Sequence, residues 1–351
     1  VQGASGSFAG LRQTRLTQVQ AHIPDLENAV VTVGAQAKGP LPELLGFLRD
    51  SPVQAMLGNA LAQTTGSGPA ELQLQLQLPI DTLEQSAVQG KVLLAGNDIR
   101  ITPDSPLLSR ARGTVEFTDH SLHLRGIQAK ALGGEVRLEG GLPPPPPGQV
   151  VDASALQLRA QGTVSAQGLQ QAPELGLLAQ LAHHASGTAP YSLNLGLRRG
   201  VAQLQIESNL QGLALHLPAP LGKASETAVP LRLESHLLAT ALAPDAPLHE
   251  QLSLQWGSLG QVQYVRDISG PQPKVLRGLI ALGLSGDETM PLPEQGVAAN
   301  VRLAQLDTDA WQAVWASLPG ATPPASTSTP TPVTTAGLDY LPQSVALRVG
   351  A

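Results

Sequence analysis

The sequence predicts a mainly β protein, and three observations lead there. The run Glu71–Leu78 reads Glu-Leu-Gln-Leu-Gln-Leu-Gln-Leu, which puts Leu72, Leu74, Leu76 and Leu78 on one face of a strand and the glutamines on the other. The same alternation returns along most of the chain. Short apolar runs bounded by Gly, Pro, Asn and Asp dominate, and few segments carry helical spacing instead.

Taken in order, Leu41, Leu44, Leu45 and Leu48 recur at helical spacing, as do Val53, Met56, Leu57, Ala60 and Leu61. Ser51-Pro52 between them supplies an N-cap and a proline at the first helical position, so two short helices at an angle are expected. The Leu72–Leu78 strand follows and stops at Pro79. One-faced strands then carry Leu122 and Leu124, and next Val136 and Leu138, with Gly133-Gly134 read as the turn between them. Ala111-Arg-Gly-Thr-Val115 and Ala160-Gln-Gly-Thr-Val164 form a short internal repeat that suggests related β-units. Pro143–Pro147 is a stiff polyproline-type spacer between strands.

Ala172–His184 reads as a second helical region, with Pro173 near its start and Leu175, Leu178, Ala179 and Leu181 inward. Strands resume with Leu193, Leu195 and Leu197, then Leu204 and Ile206, then Leu213, Leu215 and Leu217. Leu231 and Leu233 follow, and then Leu252, Leu254 and Trp256. A third helix is expected over Thr308–Leu318, capped by Asp307, with Trp311, Val314, Trp315 and Leu318 on one face. Pro319–Ala336 is rich in Ala, Thr, Ser and Pro without an apolar period and reads as a linker. The expected organisation is a β section over 1–142 with helices near 41–63 and a continuing section over 143–318 with helices near 172–184 and 308–318. A flexible linker over 319–338 and the start of a next β section over 339–351 complete it.

Composition excludes several classes. Charged residues make up 14% and the net charge is −6, with Arg198-Arg199 the one adjacent basic pair and three each of Trp, Tyr and Phe. A nucleic-acid surface needs a basic track and stacking rings, so none is expected. With no cysteine, disulfides, thiolate metal sites and cysteine nucleophiles are out. No apolar run approaches the roughly 20 residues that span a bilayer as a helix. The start at Val1-Gln2-Gly3-Ala4 resembles no signal peptide, and the end at Val345–Ala351 falls inside a strand pattern. The chain therefore reads as an internal piece of a longer protein.

No residue cluster assembles into a catalytic site. Asp307-Thr-Asp309 sits where a helix begins, and carboxylates there favour the helix dipole. His183-His184 ends the second helical region, and adjacent residues point apart; His120 and His123 lack a nearby third ligand. Gly133-Gly134 and Gly66-Ser-Gly68 lack the Lys-Ser/Thr and helix of a phosphate loop. No Gly-x-Ser-x-Gly elbow with triad partners is present. A non-enzymatic protein without metal or cofactor is expected.

Each stripe leucine left in water forgoes roughly 1.5–3 kcal/mol, and three short helical regions cannot cover them all. The strands must face one another in a sandwich or solenoid, or curl into a trough with an apolar floor. Leucine outnumbers Val and Ile, although β-branched residues are the better strand formers, and a flexible leucine lining suits contact with fluid acyl chains.

Several segments resemble the YhdP family of AsmA-like envelope proteins. The clearest is Leu210-Gln-Gly-Leu-Ala-Leu-His-Leu-Pro-Ala-Pro-Leu-Gly-Lys223 with Val229-Pro-Leu-Arg-Leu233, similar to the family's strand ending in a Leu-Pro-x-Pro-Leu-Gly-Lys turn. Gly187-Thr-Ala-Pro-Tyr191, Pro291–Gly296 and the Leu306-Asp-Thr-Asp-Ala-Trp311 helix start fit in order. So do Gly39–Glu43, Phe47–Pro52 and Leu78-Pro-Ile80. The resemblance implies a mainly β fold: a long, curved, largely antiparallel sheet forming a U-shaped apolar groove, with a few short helices. It implies a Gram-negative protein anchored in the inner membrane, its sheet lying in the periplasm and guiding phospholipid tails between inner and outer membranes. The stripe residues from Leu72 to Leu254 would then bind phospholipid acyl chains, and membrane proteins at either end would be partners. A closed, non-lipid-binding envelope scaffold is the alternative.

Overall fold

In a computed structural model the described residues are 2–6, 13–23, 30–49, 63–82, 85–103, 105–146, 149, 152–243, 245–270, 272–283, 290–317 and 338–350. The helix expected over Val53–Leu61 and the Pro319–Ala336 stretch lie outside them. The fold is mainly β, a mixed sheet that is not closed, with few short helices. The chain divides into two compact units, Val1–Gly162 with Leu195–Gly200, and Thr163–Asn194 with Val201–Ala351.

The first unit holds β1 (Gln2–Gly6), β2 (Arg15–His22), β3 (Val30–Pro40), helix α1 (Leu41–Arg49), β4 (Thr65–Ser67) and β5 (Pro69–Pro79). It continues through β6 (Ala87–Arg100), β7 (Leu108–Thr118), β8 (Leu122–Ala131), β9 (Gly134–Leu142) and most of β10 (Gln157–Ser165). Neighbours pair antiparallel in the order β1-β2-β3-β5-β6-β7-β8-β9-β10, and β4 pairs with the far end of β6. Leu132 and Gly133, at φ 50° and 80°, make the tight turn joining β8 to β9.

Helix α1 packs on β3, β4 and β5, burying Leu41, Leu44 and Leu45. Gly66 on β4 leaves room for Leu41, whose Cδ2 would lie 2.5 Å from a Cβ there and would have to shift. The Glu43 carboxylate at the helix start accepts from the Thr14 amide at 3.0 Å and its hydroxyl at 2.6 Å, which fixes the entry to β2.

The second unit begins with α2 (Ala166–Gln170), whose N-cap Ser165 hydroxyl accepts from the Gly168 amide at 3.0 Å, and α3 (Leu177–Leu181). Ala172–His184 is therefore not one helix. Gly176 at φ 56° breaks it into a 3-10 turn (Pro173–Leu175), α3 and a second 3-10 turn (Ala182–His184), leaving Leu178 58% exposed instead of inward.

The strands are β11 (Ala185–Arg198, shared with the first unit), β12 (Val201–Ser208), β13 (Leu213–Leu215), β14 (Leu231–Leu237) and β15 (His249–Trp256). After them come β16 (Gly260–Asp267), β17 (Lys274–Leu282), β18 (Gly296–Leu303), helix α4 (Thr308–Ser317) and β19 (Ser344–Val349). The order β12-β14-β15-β16-β17 is antiparallel, while β18 and β19 add parallel strands at the edge. The Asp307 carboxylate accepts from the Ala310 amide at 2.9 Å and caps α4 as the sequence predicts. Trp311 donates its indole N–H to the Ala219 carbonyl at 3.1 Å, and Ser317 meets His184 Nε2 at 3.0 Å.

Candidate functional site

Directly opposed residues in paired strands share a face, so the registers convert the stripes into rows that cross the sheet. In the first unit one row runs Ala37, Leu72, Val92, Val115, Leu124, Gly140, Leu158 across β3 to β10. The next runs Ala35, Leu74, Gly90, Phe117, Leu122, Leu142, and a third Val33, Leu76, Val88. Val31 faces Leu78 at the end. At the α1 end Ala37, Ala70 and Leu72 are buried, whereas Leu74, Leu76 and Leu78 are half-buried and Gln73, Gln75 and Gln77 exposed. The opposite face is polar, with ion pairs Lys38–Glu71 at 2.7 Å and Lys91–Glu116 at 3.5 Å, and Arg125 on Glu116.

Between Leu124 and Ile127 the register shifts by one residue. This bulge keeps Ile127, Ala129 and Ala131 on the leucine face, where they oppose Leu138, Val136 and Gly134. Leu122 and Val136 are buried, and Leu124 and Leu138 half-buried. A cavity of about 540 Å³ opens beside the bulge, lined by His123, Leu124, Arg125, Gly140, Gly141, Pro143, Ala155 and Gln157.

In the second unit Ile206, Leu233, Leu254, Val262, Ile280, Ala299 and Val345 form one row across seven strands. Leu204, Ser235, Leu252, Tyr264, Gly278 and Val297 form the next, and Ser208, Leu231, Trp256, Gly260, Leu282, Val301 and Leu347 lie on the other side. Ile206, Leu233, Leu254, Val262 and Ile280 are all half-buried, as are Leu193, Leu195 and Leu197 of β11. Leu213 instead packs with Ala166, Ala189 and Leu210, with Leu215, Leu231 and Trp256 against that cluster. Leu217 lies beyond β13, in the turn leading to Lys223.

One further step along β15 and β16 the leucine face turns polar. Glu250 opposes Leu237 and Arg266, and its carboxylate takes Arg266 Nη2 at 2.5 Å and the Ser235 hydroxyl. Arg266 Nη1 donates to the Tyr340 hydroxyl at 3.0 Å, and Tyr264 donates to the Tyr340 carbonyl at 3.0 Å. The two tyrosine rings meet edge-on, centroids 5.1 Å apart. Burial works against the Arg266 cation, but Tyr340 and Glu250 outweigh it and hold the guanidinium above its ordinary value. Sequence reasoning missed this pair, although Glu250 stands in phase with Leu252 and Leu254, where an apolar residue was due.

Lys223 is another buried charge among the described residues of this unit, its ammonium donating to the carbonyls of Leu213 at 2.7 Å and Ala224 at 2.9 Å. Burial pushes it below the ordinary lysine value, with Glu226 pulling the other way. Among the described residues no group of three His, Cys, Asp or Glu could hold a metal ion. No helix among them is long and apolar enough to cross a membrane.

The family model described as YhdP protein matches residues 4–351. Among curated proteins, the intermembrane phospholipid transporter YhdP of Escherichia coli (strain K12) is 23% identical over 263 residues, 73% of this chain and 20% of that protein. The chain thus spans about a fifth of the length of that relative. No solved structure matches.

Proposed function

The chain belongs to the YhdP family, and on that premise we propose that it is a section of a non-enzymatic periplasmic conduit carrying phospholipids between inner and outer membranes. The observation that carries the reading is the set of multi-strand apolar rows in each unit, in which Leu74, Leu76, Leu233 and Leu254 stay half-buried. A leucine left partly exposed forgoes part of the roughly 1.5–3 kcal/mol that full burial contributes, and a row of them leaves a surface that apolar ligand would cover. Acyl chains lie along Leu74, Leu76 and Leu78 in the first unit and along Leu233, Leu252 and Leu254 in the second. The remaining stripe residues extend the same lining, with Leu213 as packing beneath it. The relative's transport of phospholipid between membranes supports lipid as the occupant. Anchoring in the inner membrane and protein partners at either membrane complete the proposal.

Gentle purification of the intact protein followed by native mass spectrometry tests it. Bound phospholipid is expected, released on denaturation. A protein free of lipid from lipid-replete cells contradicts the proposal.

A further inference from the structure

We propose that Glu250 and Arg266 form a recognition site for a zwitterionic phospholipid headgroup, Arg266 taking the phosphate and Glu250 the ammonium, while Tyr340 holds the phosphate's place when no headgroup is bound. This rests on the reading that acyl chains lie on the leucine face.

Glu250 shares a strand face with Leu252 and Leu254, and Arg266 directly opposes it on β16. A lipid whose tails lie on those leucines brings its polar end within about 7 Å, one two-residue step of a strand. In the rows crossing this unit, Glu250 and Arg266 are the charged residues; every other charged side chain of β14 to β18 projects to the opposite face.

The side chains are 7% and 18% exposed, and a pair so placed costs desolvation that a hydrophobic pair would not incur. Hydrogen bonds from Ser235 and to Tyr340 offset part of that cost, yet Arg266 Nε is buried without an acceptor. The guanidinium thus keeps a donor in reserve, and a planar fork of donors suits a phosphate. The Tyr340 hydroxyl occupies Nη1 through a single neutral oxygen, a contact that a charged phosphate oxygen outcompetes. An ammonium linked to that phosphate by a short ethyl spacer would meet Glu250 and the faces of Tyr264 and Tyr340.

The test incubates the intact protein with vesicles equimolar in phosphatidylethanolamine and phosphatidylglycerol and measures the bound ratio by mass spectrometry. The unaltered protein is expected to enrich phosphatidylethanolamine. Glu250→Gln leaves Arg266 uncompensated, so the ratio should shift toward the anionic lipid by about tenfold, the value of one charge-assisted contact. Tyr340→Phe keeps the ring but frees Nη1, and should raise bound phosphatidylethanolamine by about two- to tenfold. A purely structural pair would change melting temperature and leave both readouts unmoved. An unchanged ratio in Glu250→Gln with lipid still bound overturns the headgroup site and leaves the leucine face standing. If Glu250→Gln does not fold, an unchanged amount in Tyr340→Phe overturns the site. An unaltered protein that takes up no phospholipid overturns the proposed function, and the headgroup site with it.

Discussion

The ring of Phe117 lies over Gly90, its direct partner on the neighbouring strand: a Cβ at Gly90 would fall 2.6 Å from Phe117 Cε1 and Cε2. Phe117 is 3% exposed, so a ring displaced from Gly90 has to move within the buried interior or give up that burial. Gly90→Ala is therefore expected to cost about 1–3 kcal/mol through overpacking. Adding Phe117→Leu should return part of that loss, and a double-mutant cycle on urea denaturation reads the coupling. Strict additivity would show that ring and glycine do not share the space.

The leucine face should be energetically uneven along one strand. Leu72 is 4% exposed and buried at the α1 end, whereas Leu76 is half-buried. Leu72→Ala is expected to cost about 2–5 kcal/mol, and Leu76→Ala about 1 kcal/mol in lipid-free protein. Equal losses in denaturant titrations would mean that something covers Leu76 as fully as Leu72.

The stripe over Leu72–Leu78 was legible because β5 pairs with β3 and β6 without a bulge there, so a period of two survives intact. Elsewhere local geometry hid the pattern. The bulge after Leu124 shifts the phase, so Ile127 and Ala129 look out of step in the sequence while standing on the same face. Gly176 splits what reads as one helix, because its positive φ costs a glycine little. Leu213 and Leu217 continue an alternation by spacing alone, yet β13 ends at Leu215 and Leu213 belongs to a closed cluster. Nothing local distinguishes the parallel strands β18 and β19 from antiparallel ones, since pairing direction depends on distant crossovers. Glu250 was the legible anomaly, a charge at an apolar phase whose partner is 16 residues away.

Glu43 ties α1 to the entry of β2 by accepting from the Gln13 and Thr14 amides and the Thr14 hydroxyl. Glu43→Gln preserves shape but turns one acceptor oxygen into a donor. A loss of about 1–3 kcal/mol is expected, with faster hydrogen exchange at the Thr14 amide. Unchanged exchange there would show that the entry to β2 is held by other contacts.

Lys223 makes stability pH-dependent in the alkaline range. Its folded-state value is lowered by burial, so between that value and the ordinary 10.5 the unfolded chain binds more protons. Its contribution therefore favours folding increasingly as pH rises through that window. Below it the ammonium is charged in both states, and the full desolvation cost is present. Comparing unfolding free energies at pH 8 and 10 in the native protein and in Lys223→Met isolates this effect. The variant is expected to lose the upward slope, and to lose about 1–3 kcal/mol overall because the Leu213 and Ala224 carbonyls lose their donor. Identical slopes would contradict the assignment.

Half-buried leucines are proposed to meet acyl chains. Photo-crosslinking side chains placed singly at Leu74 and Leu195, with Gln75 as the opposite-face control, test it most directly in living cells. Phospholipid adducts are expected at positions 74 and 195 and none at 75. Equal labelling at 74 and 75, or no lipid adduct at 74 and 195, would contradict it.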